Sequence, residues 1–304
     1  MWRLDGKHRS RNLAILIFLA PAVAFYVTFL VYPLLQSILM GFFEVKVFGA
    51  KTSYNFVGLS NFRQVLDDPV FWRAARNTLT WAAISPFVEI GLGLFLAIAL
   101  HSMGKRGAFL RVAWFVPVLM PAVVVGILWA WVYNDEWGLL NAILRSMGPL
   151  RDLARPWLGD PGTALASLIV ATTWQFTGFN MIILLAAVAG IPSDVRDAAR
   201  IDGATGFKFI WHVVLPLLRP LIINLMILCF VGKMKQFDLV WASTRGGPFW
   251  ATETVATYTV KRAFHWGTFE RGYPSAMVTM WSAIVFLVAV VTNLLLQRRD
   301  RIEY

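Results

Sequence analysis

Long apolar stretches dominate the chain and alternate with shorter polar, charged segments. A helix needs about 20 consecutive apolar residues to cross the hydrocarbon core of a bilayer. Prolines inside several of the stretches do not argue against helices, because neighbouring helices can satisfy the freed backbone groups. We therefore expect an all-α polytopic membrane protein with six transmembrane helices. The predicted spans are Leu13–Met40, Asn77–Leu100, Val112–Tyr133, Ala164–Ala189, Leu215–Leu239 and Ser275–Leu296.

The six spans divide the chain into a short N-terminal segment (1–12), a six-helix membrane domain (13–297) and a short tail (298–304). An even number of spans places both termini on the same side of the membrane. The face that carries the termini holds 14 Lys or Arg residues, and the opposite face holds 12 in noticeably longer loops. Because short cytoplasmic loops are enriched in basic residues, this bias predicts cytoplasmic termini. The first apolar run exceeds a typical signal-peptide core, which favours an uncleaved helix.

The composition supports a membrane protein and argues against a nucleic-acid-binding protein or a disulfide-stabilised one. Hydrophobic residues make up 58% of the chain, and the net charge is +11. In a soluble protein such a charge would suggest nucleic acid. Here basic residues flank the spans, and we expect no nucleic-acid partner. The one cysteine, Cys229, excludes an internal disulfide and is interpreted as a small apolar residue.

Motifs of common catalytic and metal centres are absent from the sequence. It holds no phosphate-binding G-x-x-x-x-G-K-[ST], no H-E-x-x-H, no C-x-x-C and no G-x-S-x-G. The four histidines are scattered without ligand spacing. We therefore expect no catalytic residues, no metal and no cofactor, and a protein that is not itself an enzyme.

The loop between the fourth and fifth spans, residues 192–216, is the most informative segment. Ser193 is a suitable N-cap for a short helix. Ala198 and Ala199 leave one face of that helix nearly without side chains, so another protein could approach closely. Gly203 suits a left-handed stop, and Pro216 lies at a plausible start of the fifth span.

A second short helix should follow the stop at Gly203. Phe207, Ile210, Trp211 and Val214 recur at helical spacing and are expected to share one face at the membrane interface.

This loop resembles the EAA loop of ABC importer permeases. That motif has a Glu-Ala-Ala triplet, a glycine four residues after the second alanine, and Ile-x-Leu-Pro after nine further residues. The chain departs from it twice, with aspartate for glutamate and Val213 for isoleucine. The string from Ala198 to Ala204, Ala-Ala-Arg-Ile-Asp-Gly-Ala, is similar to the sugar-importer branch. The matching positions are Asp197, Ala198, Ala199, Gly203, Leu215 and Pro216.

Two other segments are similar to the same branch, and the likeness covers most of the chain after Leu13. They are Val57–Phe62 with Asp68–Trp72, and Phe237–Val240 with Arg245–Pro248. The resemblance implies a permease with the type I importer fold, in the inner membrane of a bacterial cell. It also implies a second homologous permease in a heterodimer, two ATPase subunits that dock the EAA-type helix, and an extracytoplasmic substrate-binding protein. The implied function is ATP-driven import of a sugar or related polyol by alternating access.

Polar residues at membrane depth are candidate substrate-pathway residues, because burying charge in a bilayer is costly. Glu89 is either a pathway residue or half of a buried ion pair with a base such as Lys233. The amides of Gln175 and Asn180 could bond sugar hydroxyls, or could join helices to one another. Lys233 and Gln236 fall in the predicted fifth span and should share one helical face, because they are three residues apart.

Two other functional classes are considered. In an ion-coupled secondary transporter, Glu89 or Asp238 would bind the driving ion. The EAA-like loop argues against this class, since such a carrier has no ATPase to dock. A membrane-embedded enzyme lacks a catalytic constellation. Sugar, oligosaccharide, polyol and glycerol phosphate all stay open as substrates, and Lys233 would suit an anionic one.

The charge bias makes a topological prediction. Reporter fusions at Gly148 and Gly246 should report an extracytoplasmic location, and a fusion at Gly203 a cytoplasmic one. The measurement is the activity of a compartment-sensitive reporter in intact cells. Opposite readings at all three positions would overturn the orientation.

Overall fold

The computed structural model describes residues 4–48, 51–265 and 271–297, and within them the chain is overwhelmingly helical. The predicted tail 298–304 lies outside the described residues, as do residues 1–3. The regular elements are α1 Leu4–Tyr26, α2 Tyr32–Met40, β1 Phe43–Phe48, β2 Lys51–Phe56, α3 Ser60–Asp67, α4 Pro69–Ser102, α5 Ala108–Phe115, α6 Ala122–Val132, α7 Leu139–Ser146, α8 Ala164–Ala189, α9 Ser193–Ile201, α10 Phe207–Phe209, α11 Leu215–Lys233, α12 Asp238–Ser243, α13 Val255–Val260 and α14 Gly272–Gln297.

In this described part of the chain, five helical segments are long and apolar enough to cross a bilayer, or six if one bent pair counts as a span. The fourth span, α8, has the predicted bounds Ala164–Ala189. The helix of the first span begins earlier than predicted, at Leu4, and α4 begins at Pro69. Phe18 in the first span is 84% exposed, as expected of a side chain that faces lipid.

The third span differs from the prediction of one helix over Val112–Tyr133. Its two halves, Gly104–Leu119 and Ala122–Val132, meet at an angle of 104°. The cause is Pro121, because a residue that precedes proline is driven out of the α region. Met120 accordingly has extended backbone, with φ −78° and ψ 134°.

The fifth span also differs from its predicted bounds, Leu215–Leu239. Helical backbone runs continuously from Phe207 to Lys233 and then ends, with α12 as a separate helix. Pro216 therefore lies inside a helix that has already begun. A π-helical turn, Ile210–Val214, precedes it. The widened turn accommodates a proline, whose ring otherwise clashes with the carbonyl four residues earlier.

The first span has the same arrangement before its second proline. A π-helical turn, Val27–Val31, directly precedes α2, whose second residue is Pro33. In both places a proline, Pro33 or Pro216, follows a π-helical turn that widens the helix.

The chain divides into two compact units. The first comprises residues 1–67 and 260–280. It contains an antiparallel hairpin, β1–β2, in which Phe43 lies opposite Phe56. The all-α prediction did not include this hairpin. The Asn61 amide of α3 donates to the carbonyl oxygens of Gly41 (2.9 Å) and Phe43 (3.0 Å) and so fixes the start of the hairpin.

The second unit comprises residues 68–259 and 281–304, and α8 is the most buried of the candidate spans. One apolar cluster joins α4, α8 and α11 through residues such as Ile90, Leu184 and Leu218. Small residues allow close helix contact in membranes. At Gly178 of α8, an added Cβ atom would lie within van der Waals overlap of the Trp114 carbonyl oxygen of α5.

The contact at Gly178 predicts a large effect from a small substitution. Gly178→Ala should destabilise the protein by about 1–3 kcal/mol or more, because the obstacle is backbone that cannot change rotamer. Gly91→Ala on α4 is the matched control, since nothing lies within 4 Å of its added Cβ atom. The measurement is the heat-induced loss of the monodisperse peak of the detergent-purified protein. Equal stability of the two variants would contradict the close approach.

Candidate functional site

A cavity of about 410 Å³ opens among α4, α8 and α11 in the second unit. Four of the five predicted pathway residues lie around it: Glu89, Asn180, Lys233 and Gln236. The other lining residues are Val118, Phe176, Phe179, Leu225, Leu228, Cys229 and Gly232. Val118 belongs to the 3-10 turn Val116–Leu119 at the break of the third span. Non-helical backbone at membrane depth is tolerated where it lines a cavity or is buried in protein. The break in the third span meets the first condition, because Val118 lines the cavity.

An ion pair lies in the wall of the cavity. The Lys233 Nζ atom is 2.6 Å from Glu89 Oε1, and the two side chains are 6% and 1% exposed. The structure therefore shows the buried pair with Lys233, and Glu89 also lines the cavity, so its role in the pathway stays a prediction. The pair neutralises both charges in a place where either charge alone would be very costly.

Two further side chains complete this cluster. The Phe176 ring centroid is 4.3 Å from Lys233 Nζ, a cation–π distance. The Cys229 thiol donates a hydrogen bond to Glu89 Oε2 at 3.3 Å. Cys229 was interpreted as an apolar residue, and its contact with a carboxylate corrects that interpretation. Its position four residues before Lys233 on α11 was the available signal, since such residues share a helical face.

Gln175 does not line this cavity, unlike the other four predicted pathway residues. It is buried at 2% exposure, and its amide donates to the Met120 carbonyl oxygen at 3.0 Å. Helical geometry explains the difference, because residues five apart lie on different faces. Phe176, Phe179 and Asn180, at spacings of three and four, share the face that lines the cavity. Gln175 instead satisfies a carbonyl group at the break in the third span.

Gln236 reaches the cavity by a different route from the one predicted. The helix ends at Lys233, with Met234 as its C-cap, so the i, i+3 helical spacing does not apply. The non-helical chain that follows brings Gln236 beside the cavity. Its carbonyl oxygen accepts a hydrogen bond from the Thr254 hydroxyl at 2.9 Å, which anchors this turn.

The loop between α8 and α11 contains the predicted short helix, α9, over Ser193–Ile201. Its N-cap is Pro192 and not Ser193, which corrects the prediction. The Ser193 hydroxyl donates to Asp194 Oδ1 at 3.3 Å instead of capping the backbone. Asp197 is exposed and pairs with Arg200 at 3.2 Å, one turn along the same helix.

The two alanines of the motif differ in exposure. Ala198 is exposed, but Ala199 is only 6% exposed and buried within this chain. The expected open face made by both alanines is therefore wrong, because a nine-residue helix against the protein presents consecutive residues to opposite environments. Of the two alanines, only Ala198 is exposed for contact with a partner.

Gly203 ends α9 as predicted, with φ +72°. The Ala204 N–H donates to the Ala199 carbonyl (2.8 Å) and the Gly203 N–H to the Arg200 carbonyl (3.1 Å). These two bonds form a Schellman motif, which satisfies the last carbonyl groups of the helix.

Helical backbone resumes at Phe207, after a second positive φ (+55°) at Gly206. Phe207 and Trp211 are exposed, with stacked rings 6.2 Å apart. Val214, in the π-helical turn Ile210–Val214, is 1% exposed and packs in the apolar cluster. The single apolar face predicted for these residues is therefore wrong, because the π-helical turn changes their angular spacing.

A family model matches residues 89–301, and its description is binding-protein-dependent transport system inner membrane component. The chain belongs to this family. The match begins at Glu89 and includes α8, α9, α11 and thus most of the cavity.

Individual relatives agree with this family. A probable ABC transporter permease protein of Pyrococcus horikoshii is 33% identical over 90% of this chain and 93% of the relative. A diacetylchitobiose uptake system permease protein of Streptomyces coelicolor is 32% identical over 95% of this chain and 85% of the relative. These relatives are transport subunits. None of these comparisons supports the ion-coupled alternative.

The fold is shared with a solved importer. A chain in the crystal structure of a bacterial ABC transporter involved in import of the acidic polysaccharide alginate aligns with a TM-score of 0.83. The alignment covers 97% of this chain and 99% of the other, at 20% sequence identity. This confirms the predicted ABC importer permease fold.

The buried ion pair predicts non-additive effects on stability. Glu89→Gln and Lys233→Met should each destabilise the protein by about 3–5 kcal/mol, because each leaves one buried charge without its partner. The double variant should lose much less than the sum of the two. Thermal unfolding of detergent-purified permease measures all three.

The exposed pair of Asp197 and Arg200 supplies the control, at a similar distance of 3.2 Å. Asp197→Asn should change stability by less than about 1 kcal/mol, because solvent screens this pair. Strictly additive losses for Glu89→Gln and Lys233→Met would show that the two groups do not interact.

Proposed function

We propose that this chain is one membrane subunit of an ATP-driven, binding-protein-dependent importer for a sugar or related polyol. ATP is hydrolysed on a separate subunit, and the permease alternates between inward-facing and outward-facing states. The family membership and the permease relatives support this proposal. The diacetylchitobiose relative supports a carbohydrate substrate.

The observation that carries the proposal is the helix α9. This nine-residue helix exposes Asp197 and Ala198 and ends in a Schellman motif. A transporter that drives itself has no use for such a docking element, whereas a subunit driven by another chain needs one.

The proposed assembly contains a second, homologous permease as a heterodimer, two ATPase subunits and an extracytoplasmic binding protein. The family description names binding-protein-dependent transport. The alginate importer has also been crystallised with a pentasaccharide-bound periplasmic protein, which supports a partner of this kind. In the proposed assembly the permease has the orientation predicted from the charge of its loops, with α9 and both termini in the cytoplasm.

The coupling residues have distinct roles in this proposal. Ala198 sets how closely the ATPase subunit approaches, and Asp197 offers it a carboxylate that currently pairs with Arg200. Ala199 supports α9 from within the chain. Leu215 and Pro216 belong to the helix that carries movement from the loop into the membrane.

The cavity among α4, α8 and α11 is the proposed substrate pathway of this subunit. Phe176 and Phe179 offer rings for the C–H faces of a sugar, and Asn180 and Gln236 offer amides for its hydroxyl groups. Glu89 and Lys233 hold the wall in place.

The stop at Gly203 provides a test of the coupling role. Gly203→Val should strain the backbone by about 1–2 kcal/mol, because its φ of +72° is unfavourable for a β-branched residue. Nothing lies within 4 Å of an added Cβ atom, so the effect is conformational and not steric. We expect loss of uptake and of co-purifying ATPase subunit, with the permease still present in the membrane.

Gly203→Asn is the matched control, since asparagine tolerates left-handed backbone. It should retain most of the uptake and the ATPase association. If Gly203→Val couples as well as Gly203→Asn does, α9 is not the docking element and the proposal loses its main support.

A further inference from the structure

The charges that line the cavity cancel. In the part of the chain that the structure describes, its lining contains one cation, Lys233, and one carboxylate, Glu89. They are 2.6 Å apart and each is less than a tenth exposed. At this separation the pair acts as a compact dipole, whose field falls off faster than that of a free charge. The cavity therefore offers a substrate little net charge.

The charge of Lys233 is already balanced by an anionic partner. Its ammonium group contacts the Glu89 carboxylate on one side and the Phe176 ring, at 4.3 Å, on another. An incoming carboxylate or phosphate would have to share this cation with Glu89, against the repulsion between two anions, or displace Glu89. Glu89 would then be left buried with one hydrogen bond from the Cys229 thiol, a costly arrangement.

The remaining lining is apolar or uncharged. Phe179 and the aliphatic side chains of Leu225 and Leu228 line the wall, and Asn180 and Gln236 supply neutral amides. Such a surface suits a ligand with C–H faces and hydroxyl groups. It does not suit one that carries a permanent charge.

We propose that this subunit's part of the pathway selects uncharged, polyhydroxylated substrates and rejects anionic ones such as sugar acids and sugar phosphates. The inference rests on the proposed function and narrows its substrate class. Substrate charge varies among similar transporters, since the alginate importer is described as importing an acidic polysaccharide. The Glu89–Lys233 pair is the feature that sets the charge preference here.

Cys229 allows a direct test, because it is the one cysteine of the chain and lines the cavity. The purified permease in lipid nanodiscs is labelled with methanethiosulfonates that carry a neutral methyl, an anionic sulfonatoethyl or a cationic trimethylammonioethyl group. Each rate is divided by the rate for a free thiol in solution. The ratio of the anionic to the cationic rate reports the charge that the cavity presents, independently of thiol reactivity.

For the wild type we expect this ratio to lie within about tenfold of unity, because the paired charges leave little net potential. Glu89→Gln leaves Lys233 unpaired and should raise the ratio about tenfold or more. The double variant Glu89→Gln with Lys233→Gln should return to the wild-type ratio. A wild-type ratio that favours the anionic reagent by more than tenfold would overturn the proposal.

A second variant covers the case in which Glu89→Gln does not fold. Gln236→Lys adds a cation in the non-helical segment beside the cavity, and Gln236→Met is its uncharged control. The lysine variant should raise the ratio and the methionine variant should not. An unchanged ratio in Gln236→Lys would show that labelling reaches Cys229 by a path outside the cavity, and the assignment of the charge preference to this cavity would fall.

Uptake by cells that express the complete transporter completes the test. Neutral disaccharides and polyols are compared with uronic acids and sugar phosphates, and only the neutral set should be accumulated. Accumulation of the anionic set alone would overturn the charge preference while leaving ATP-driven import intact. Absence of ATP-dependent uptake for both sets would instead count against the proposed function, and the labelling ratios would still decide the charge of the cavity.

Discussion

The contact between Glu89 and Lys233 is the interaction on which the membrane core depends. Either group alone would be expensive at this depth, so each requires the other. The pair joins the middle of α4 to the last residue of α11, where the helix of the fifth span ends. Lys233 is the last residue of α11, where a cation also complements the helix dipole. The chain is thereby free to turn and bring Gln236 beside the cavity.

A second constraint is that backbone groups in a bilayer must find partners within the protein. Pro121 breaks the third span, and the carbonyl of Met120 then needs a donor, which Gln175 supplies at 3.0 Å. Pro33 and Pro216 meet the same constraint differently, each with a π-helical turn before it. The irregular backbone therefore follows from the positions of the prolines and the protein groups that surround them.

Sequence patterns predicted the features that depend on local chemistry. The bounds of α8 follow from continuous hydrophobicity, and the left-handed stop at Gly203 follows from the residue type. Features that depend on packing between distant parts of the chain were harder to predict from the sequence. No periodicity shows that Ala199 faces inward, that Gln175 serves a distant carbonyl, or that the hairpin of β1 and β2 forms. The third span was predicted as one helix because its hydropathy is continuous, although Pro117 and Pro121 together indicated a break.

The close approach at Gly178 has a mechanical consequence. There α8 touches the backbone of α5 with no side chain between them, so no rotamer change can absorb a displacement. The helix α9 is joined to α8 by only three residues, Gly190–Pro192. A displacement of α9 would therefore move α8 as well. Through the contact at Gly178 it would also move the broken third span, whose Val118 lines the cavity. Because Gly178 has no side chain, the contact between α8 and α5 at this point is rigid.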